Sequence, residues 1–364
     1  MIFSYRLCEG FGNLVFLNAA PLITFVIPAY NAAGTIASAL EALLMQSSGN
    51  WEAVVVDDGS TDETGAIVDA ISNNNGHIRV LHQANAGVAA ARNAALQVAR
   101  GDYLAFLDAD DTIVSDYVEK LEGVLQEKRP DVVALSYRSI PQGSTFGYGN
   151  FEGDSIDFLE LSLLNEYATF PCWLFLMSRK LVVDANISFT VGRRTGEDQE
   201  FVLKMLCRAS TCLSVDSEDI YYLYRTASET SAMGSNLVGQ YDYPKAMLSV
   251  IFDSVEYENC HESSKGLDVR RLLFERYVGS CTYATEVAIN NGASYSDVNL
   301  WAGAAFGQIN EISDKLGICL SVKNRLLLFL WTNCRPGLLR ALKIKLRVQK
   351  TAHAVRDKIN RFRP

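Results

Sequence analysis

Tyr103-Leu104-Ala105-Phe106-Leu107-Asp108-Ala109-Asp110-Asp111 is an apolar run that ends at once in three carboxylates. The run reads as a buried strand, and acids crowded at its carboxyl end are not the pattern of a merely solvated loop. Two earlier stretches have the same form: Thr24–Pro28 leads into Ala29-Tyr30-Asn31, and Ala53–Val56 leads into Asp57-Asp58-Gly59-Ser60. Helical patterns separate them. Ile36, Leu40, Leu43 and Leu44 share one face, Ile67, Val68 and Ile71 another, and Val88–Val98 is an alanine-rich helix, with Ile78–Leu81 as a further strand. This alternation predicts an α/β fold with a mostly parallel sheet covered by helices on both faces. In such sheets ligands bind beyond the carboxyl ends of the strands, which is where the polar residues collect.

Farther along, Val132–Tyr137 reads as a strand, Gly143–Gly153 as a glycine- and aromatic-rich loop, and Trp173–Met177 as an apolar segment. Phe201, Val202, Met205 and Leu206 form one helix face, and the text beyond about Val238 is helical. Small polar residues at Ser231–Ser235 mark a boundary. The expected organisation is an N-terminal extension (1–21), two halves of one α/β domain (22–115 and 116–232), a helical region (233–334) and a basic tail (335–364). At 364 residues the chain exceeds the roughly 250–300 that one core serves, so an appendage is expected.

A hydrophobic fraction of 49% fits a globular protein, and a net charge of −9 argues against nucleic-acid binding. Eight cysteines without a C-x-x-C pair predict reduced, buried thiols in a cytosolic compartment rather than a zinc site or disulfide framework. No spanning helix is expected. Asn13, Asn18, Pro21 and Pro28 interrupt the apolar stretch Phe11–Tyr30, and Leu326–Trp331 is too short to cross a bilayer. Arg6 followed by Glu9 does not make a signal peptide. The tail from Arg335 holds ten Lys/Arg and one acid, Asp357. Leu338, Leu339, Leu342 and Leu346 can line a helix face beside Arg340, Lys343, Arg347 and Lys350, a pattern for peripheral contact with an anionic membrane. The competing reading is a basic helix docked on the acidic body.

Five clusters carry candidate chemistry. Asp108 and Asp110 can share one divalent cation and a sugar nucleotide, since Mg²⁺ or Mn²⁺ takes few protein oxygens and completes its shell with phosphates and water. Against this stands an acidic turn capping the next helix at Asp111-Thr112. A carboxylate of Asp57-Asp58 can accept the N3–H of uracil, whereas Asp58-Gly59-Ser60-Thr61-Asp62 also makes a good turn and helix start. Arg92 follows Gly87 and small residues that permit close backbone approach, so it can meet base or phosphate oxygens, or form a surface salt bridge. Glu197 and Asp198 open a helix. One of them can serve as a general base, and the helix dipole and burial pull its pKa in opposite directions. Arg225, with Ser228 and Ser231, can close over a diphosphate or lie in a plain surface loop.

Taken in order, Phe25-Val26-Ile27-Pro28-Ala29-Tyr30-Asn31, Val56-Asp57-Asp58-Gly59-Ser60-Thr61-Asp62, Asn85-Ala86-Gly87 through Ala91-Arg92-Asn93, Gly101-Asp102-Tyr103 through Asp108-Ala109-Asp110-Asp111, and Gly196-Glu197-Asp198 resemble the family 2 inverting glycosyltransferases. The resemblance covers about residues 22–230 and implies the GT-A fold. It implies a nucleotide-sugar site made by Pro28, Ala29, Tyr30 and Asn31, by Asp57 and Asp58, by Gly87 and Arg92, by Asp108 and Ala109, and by Arg225. Within it Tyr30 packs on uracil, Asp57 reads the base with Arg92 nearby, Asp108 touches ribose or sugar, and Asp110 holds Mn²⁺ or Mg²⁺. Asp198 is the implied base with Glu197 orienting a substrate, and Trp173 the implied acceptor platform, although a core tryptophan is the alternative. The implied donor is a UDP-sugar, and the implied acceptor a saccharide or polyprenyl-linked saccharide of bacterial surface polysaccharide synthesis.

The Gln-x-x-Arg-Trp signature of processive synthases is absent, which points to addition of one sugar. Two rival functions remain. A sugar nucleotidyltransferase is disfavoured because Ala29-Tyr30-Asn31-Ala32-Ala33-Gly34 stands where that class carries a glycine-rich basic loop. A non-catalytic module that binds a sugar nucleotide or a partner is disfavoured by the full set of acids.

Overall fold

The computed structural model describes residues 21–165, 169–193, 195–215, 221–225, 242–256, 269–290 and 309. The chain begins with β1 (Ile23–Ala29), α1 (Ile36–Leu44), β2 (Trp51–Asp57), α2 (Thr64–Ser72), β3 (Ile78–His82), α3 (Val88–Val98) and β4 (Tyr103–Phe106). It continues through β5 (Thr112–Ile113), α4 (Tyr117–Glu127), β6 (Val132–Ala134), β7 (Tyr137–Ile140), β8 (Thr145–Phe146), β9 (Phe151–Asp154) and α5 (Ser155–Leu164). A 3₁₀ turn at Cys172–Leu174 precedes β10 (Phe175–Ser178), α6 (Arg179–Asp184), α7 (Glu197–Leu206), β11 (Thr211–Ser214) and β12 (Tyr222–Arg225). Two further helices follow, α8 (Asp242–Glu256) and α9 (Val269–Asn290).

Among the described residues the main sheet runs β3-β2-β1-β4-β10-β6-β11-β9, and a second sheet runs β5-β12-β7-β8. Strands β3, β2, β1 and β4 are parallel, as the alternation of strand and helix requires. Register aligns Ala29 with Asp57 and Asp57 with His82, so these strand ends form one rim. Antiparallel β10 enters beside β4, and parallel pairing resumes between β6 and β11.

Every residue of β2 is buried, because helices cover both faces of the sheet. Alternation then divides the strand: Val54 and Val56 pack with α3, whereas Ala53 and Val55 pack with Ile36, Leu40, Leu43 and Val68 of α1 and α2. Each such aliphatic side chain removed from water stabilises the fold by about 1.5–3 kcal/mol. One carboxylate lies within this layer. Glu52 accepts from Thr24 Oγ1 at 2.8 Å, Arg79 Nη2 at 2.9 Å and Arg100 N at 2.7 Å, which satisfies a charge that burial alone would penalise.

The structure departs from the sequence expectations in several places. Leu44 is 41% exposed, since the buried face of α1 is Ile36, Ala39, Leu40 and Leu43. Val132–Tyr137 is two strands: the chain leaves the main sheet after Ala134 and enters the second sheet at Tyr137. The expected loop Gly143–Gly153 contains β8 and most of β9. Cys172, Cys207, Cys212 and Cys281 are buried free thiols. Among the described residues no helix is long and apolar enough to cross a membrane. The N-terminal extension through residue 20, the Ser231–Ser235 boundary, Ser228, the Leu326–Trp331 segment and the basic tail lie outside the described residues.

Candidate active site

The loops after β1 and β2 are laced to each other. Asn31 N donates to Ser60 Oγ at 3.0 Å, Thr61 N to Asn31 Oδ1 at 2.8 Å, Ala32 N to Thr64 Oγ1 at 2.7 Å and Ala33 N to Asp62 Oδ2 at 3.1 Å. Asn31 adopts a positive φ of 49°, which asparagine tolerates better than most residues. Pro28 and Ala29 sit at the end of β1, and Ala29 O accepts from Asp58 N at 2.8 Å. Beyond them the Tyr30 ring is 52% exposed, free to receive a planar group.

The two acids after β2 have different surroundings. Asp58 is buried, and its oxygens accept from Gln83 Nε2 at 2.6 Å, Ala86 N at 2.9 Å and Gly87 N at 2.8 Å. It was expected among the nucleotide-sugar contacts or in the turn Asp58–Asp62; the structure gives its carboxylate to the loop that starts α3. Gly87, at φ 91°, makes the bend that this loop needs. Asp57 keeps more acceptor capacity. Its Oδ1 accepts from Ser60 N at 3.0 Å and its Oδ2 meets His82 Nδ1 at 3.0 Å. Burial works to raise the Asp57 carboxyl, but the hydrogen bonds from Ser60 and His82 outweigh it and hold it below its ordinary value.

Arg92 was expected to meet base or phosphate oxygens or to lie on the surface. Its guanidinium is buried and spans two carboxylates of this chain: Nη2 donates to Asp108 Oδ1 at 3.0 Å and Nη1 to Glu197 Oε1 at 3.1 Å. Burial opposes its charge, yet Cys172, Asp108, Glu197 and Asp198 outweigh burial and push its pKa up. The guanidinium also sits 5.3 Å from the Phe189 ring, which stacks on Phe201 of α7 at 4.0 Å. Asn93 fixes the same segment, donating to Phe189 O at 2.8 Å and accepting from Phe189 N at 2.9 Å. Thus α3 carries two adjacent residues that dock the start of α7 onto the strand ends.

The turn after β4 is pinned from the second sheet. Asp111 N donates to Asp108 O at 3.1 Å, and the Tyr222 hydroxyl accepts from Asp108 N at 3.2 Å while donating to Asp111 Oδ2 at 3.0 Å. Asp111 is buried and serves this turn, not a helix start. Ala109 is buried beneath it and Asp110 is exposed. Among the described residues no cluster of three or more His, Cys, Asp or Glu could hold a metal. The exposed Asp110 carboxylate is an oxygen donor of the kind that Mg²⁺ or Mn²⁺ accepts alongside phosphate oxygens and water.

Gly196, at φ 81°, starts α7, and Glu197, Asp198 and Glu200 fill its first turn. Such acids favour a helix N-terminus, which lowers their pKa. At Asp198 the balance goes the other way. Burial, followed by the neighbouring Glu197 charge, outweighs Arg92 and the Gln199 N–H, and its pKa is pushed up to about 7. A carboxylate at that value is matched to proton transfer near neutral pH.

Trp173 packs among three tyrosines. It stacks on Tyr222 at 4.6 Å and Tyr224 at 5.3 Å, with Tyr137 edge-on at 5.1 Å. This is the core alternative in large part, although the side chain stays partly exposed. Arg225 closes β12, and its side chain lies outside the described residues. Three residues to which sequence reasoning gave no role of their own lie at the site: Tyr222, Asn93 and His82. His82 follows an apolar strand just as Asp57 does, and that was the available signal.

A glycosyl transferase family 2 model matches residues 24–184. The chain is 31% identical over 265 residues to the glycosyltransferase GlyG of Streptococcus pneumoniae, covering 70% of this chain and 85% of that protein. It is 31% identical over 225 residues to YibD of Escherichia coli, an uncharacterized glycosyltransferase, covering 58% of this chain and 64% of that one. Against that relative the chain thus spans less than two thirds of the length. Among solved structures, S. aureus TarS residues 1–349 in complex with UDP-GlcNAc superposes with a TM-score of 0.72 at 21% identity, covering 90% of this chain and 92% of that chain. A likeness at that identity concerns the fold, and it agrees with the α/β GT-A architecture implied by the motifs. Matched by the family model across its parallel sheet and by GlyG over most of that protein's length, the chain belongs to glycosyl transferase family 2.

Proposed function

We propose that this protein moves one sugar from a uridine diphosphate sugar onto a hydroxyl of a saccharide or polyprenyl-linked saccharide acceptor, in the synthesis of a surface polysaccharide. The observation that carries the reading is the buried Arg92 bridge. It joins Asp108 at the donor-side strand end to Glu197, and so sets Asp198, raised to about 7, at the same rim. A base next to a nucleotide-binding rim is the arrangement that a single displacement needs.

On this reading Tyr30 covers the base and Asp57 accepts its imide N–H, while Asp108 and Ala109 meet ribose or sugar. Asp198 takes the proton of the acceptor hydroxyl. The oxygen attacks the anomeric carbon from the face opposite the diphosphate, and the electron pair of the broken bond leaves with the nucleotide. An α-linked donor therefore gives a β product. Arg225 meets the leaving diphosphate, and Glu197 orients a substrate. Asp110 would hold Mn²⁺ or Mg²⁺, which when bound neutralises charge on the diphosphate. The UDP-GlcNAc complex of TarS supports a uridine donor. The basic stretch 335–364 would bring the enzyme to an anionic membrane surface, where a lipid-linked acceptor resides.

The test is nucleotide release from UDP-, GDP- and dTDP-sugars by the full chain, with Mn²⁺ and with EDTA. Slow hydrolysis of one donor, lost in EDTA, is the expected result. No release, together with no calorimetric binding of any sugar nucleotide, would contradict the proposal and favour a non-catalytic module.

A further inference from the structure

His82 ends β3, the edge strand of the main sheet, directly opposite Asp57 in register. Paired residues on neighbouring strands present side chains to the same face. Helix α2 packs on both strands, and its Asp69 reaches the same imidazole. The ring is held at both nitrogens: Nδ1 lies 3.0 Å from Asp57 Oδ2 and Nε2 lies 3.0 Å from Asp69 Oδ1. An imidazolium donates at both nitrogens, whereas a neutral imidazole donates at one of them. Hydrogen bonds to Asp69 and then Asp57 raise the His82 pKa against a smaller opposing effect of burial.

The arrangement depends on a glycine. A Cβ on Gly65 would lie 2.9 Å from Asp57 Oδ2 and 3.6 Å from His82 Cε1, so a larger residue there would press on the Asp57 carboxylate. The outer contact, to half-exposed Asp69, contributes little by itself. The inner one differs, because the Asp57 side chain is 9% exposed and its orientation is fixed by few partners.

We propose that His82 is a positioning residue for nucleotide selection: it donates to Asp57 Oδ2 while Ser60 N donates to Oδ1, which fixes the carboxylate to accept an imide N–H. This rests on Asp57 as the base-reading residue. A carboxylate only accepts hydrogen bonds. Uracil carries a hydrogen on N3 and cytosine carries a lone pair there, so the device selects uridine over cytidine diphosphate. The charged groups facing His82 are Asp57 from β2 and Asp69 from α2. A raised pKa means that both contacts are made below the ordinary histidine value, and that one of the two is lost as pH rises through the raised one.

The test is calorimetric affinity for UDP and for CDP between pH 6 and 8, where the uracil imide keeps its hydrogen, on the full-length wild type and four variants. Wild type should prefer UDP, with the preference fading toward high pH. His82→Phe should reduce the UDP:CDP ratio about tenfold, the worth of one charge-assisted hydrogen bond. His82→Asn, which keeps an N–H near the position of Nδ1, should restore most of the ratio and abolish its pH dependence. Asp69→Asn should move the fading to lower pH. If Asp57→Asn loses the preference while His82→Phe keeps it, His82 is structural only and the proposal fails. If Asp57→Asn keeps the preference, the base-reading role of Asp57 fails and the proposal falls with it. Should His82→Phe not fold, an Asp69→Asn profile identical to wild type would overturn the proposal.

Discussion

Arg92 and Glu197 are 105 positions apart in the chain, yet Arg92 Nη1 donates to Glu197 Oε1 at 3.1 Å, inside the protein. The other terminal nitrogen holds Asp108 at 3.0 Å, so one guanidinium ties the amino terminus of α7 to the end of β4. Removing it leaves a buried carboxylate without its partner, which is far more costly than losing a surface ion pair. Arg92→Met is expected to lose about 3–5 kcal/mol of stability, read from the denaturant midpoint. Arg92→Lys, which keeps the charge but not the two-pronged geometry, should fall between that variant and wild type. A wild-type midpoint for Arg92→Met would contradict the bridge.

The Asp198 carboxyl must be ionised to accept a proton, and burial with the Glu197 charge raises its pKa to about 7. Transfer should therefore rise with pH through about 7 and level off above it. Glu197→Gln removes one of the causes of the raised value, so the acidic limb should move to lower pH. The check is kcat against pH at saturating donor in both proteins. A limb that stays in place in the variant would show that Glu197 does not act on the base.

Gly101 packs against the central strand. A Cβ there would lie 2.5 Å from Thr24 N and 2.8 Å from Thr24 Oγ1, the atom that accepts from Gly101 N and donates to Glu52. Backbone of a buried strand cannot retreat without disturbing its neighbours. Gly101→Ala is expected to destabilise by about 3 kcal/mol by chemical denaturation, at the upper end of overpacking costs. An unchanged midpoint would mean that the strand yields.

Strands β1, β2 and β4 were legible because both of their faces are buried, which makes them nearly continuous apolar runs. Thr24–Pro28 and Ala53–Val56 extend by only a residue or two in the structure, to Ile23–Ala29 and Trp51–Asp57. Ile78–Leu81 likewise becomes Ile78–His82. The break of Val132–Tyr137 was not legible. Leu135 and Ser136 are as apolar or as small as their neighbours, and it is the partner strands β11 and β12 that send the chain from one sheet to the other. The acids of the rim were visible as residues after strands, but their partners were not. Nothing local separates Asp57 from Asp58. Only the folded loop shows that Asp58 accepts from Gln83, Ala86 and Gly87 while Asp57 keeps more acceptor capacity. The opposing pulls on Asp198 were likewise stated by the sequence pattern and decided by burial, a property of the whole fold.

The most direct measurement compares wild type with Asp198→Asn for nucleotide release from the preferred donor with acceptor present, alongside calorimetric binding of the same nucleotide. Loss of a positioned base costs about 10²–10⁴-fold in rate, and the amide is nearly isosteric with the acid, so binding should be kept. The account predicts release reduced by at least about a hundredfold with unchanged nucleotide affinity. Release at the wild-type rate in Asp198→Asn would contradict it.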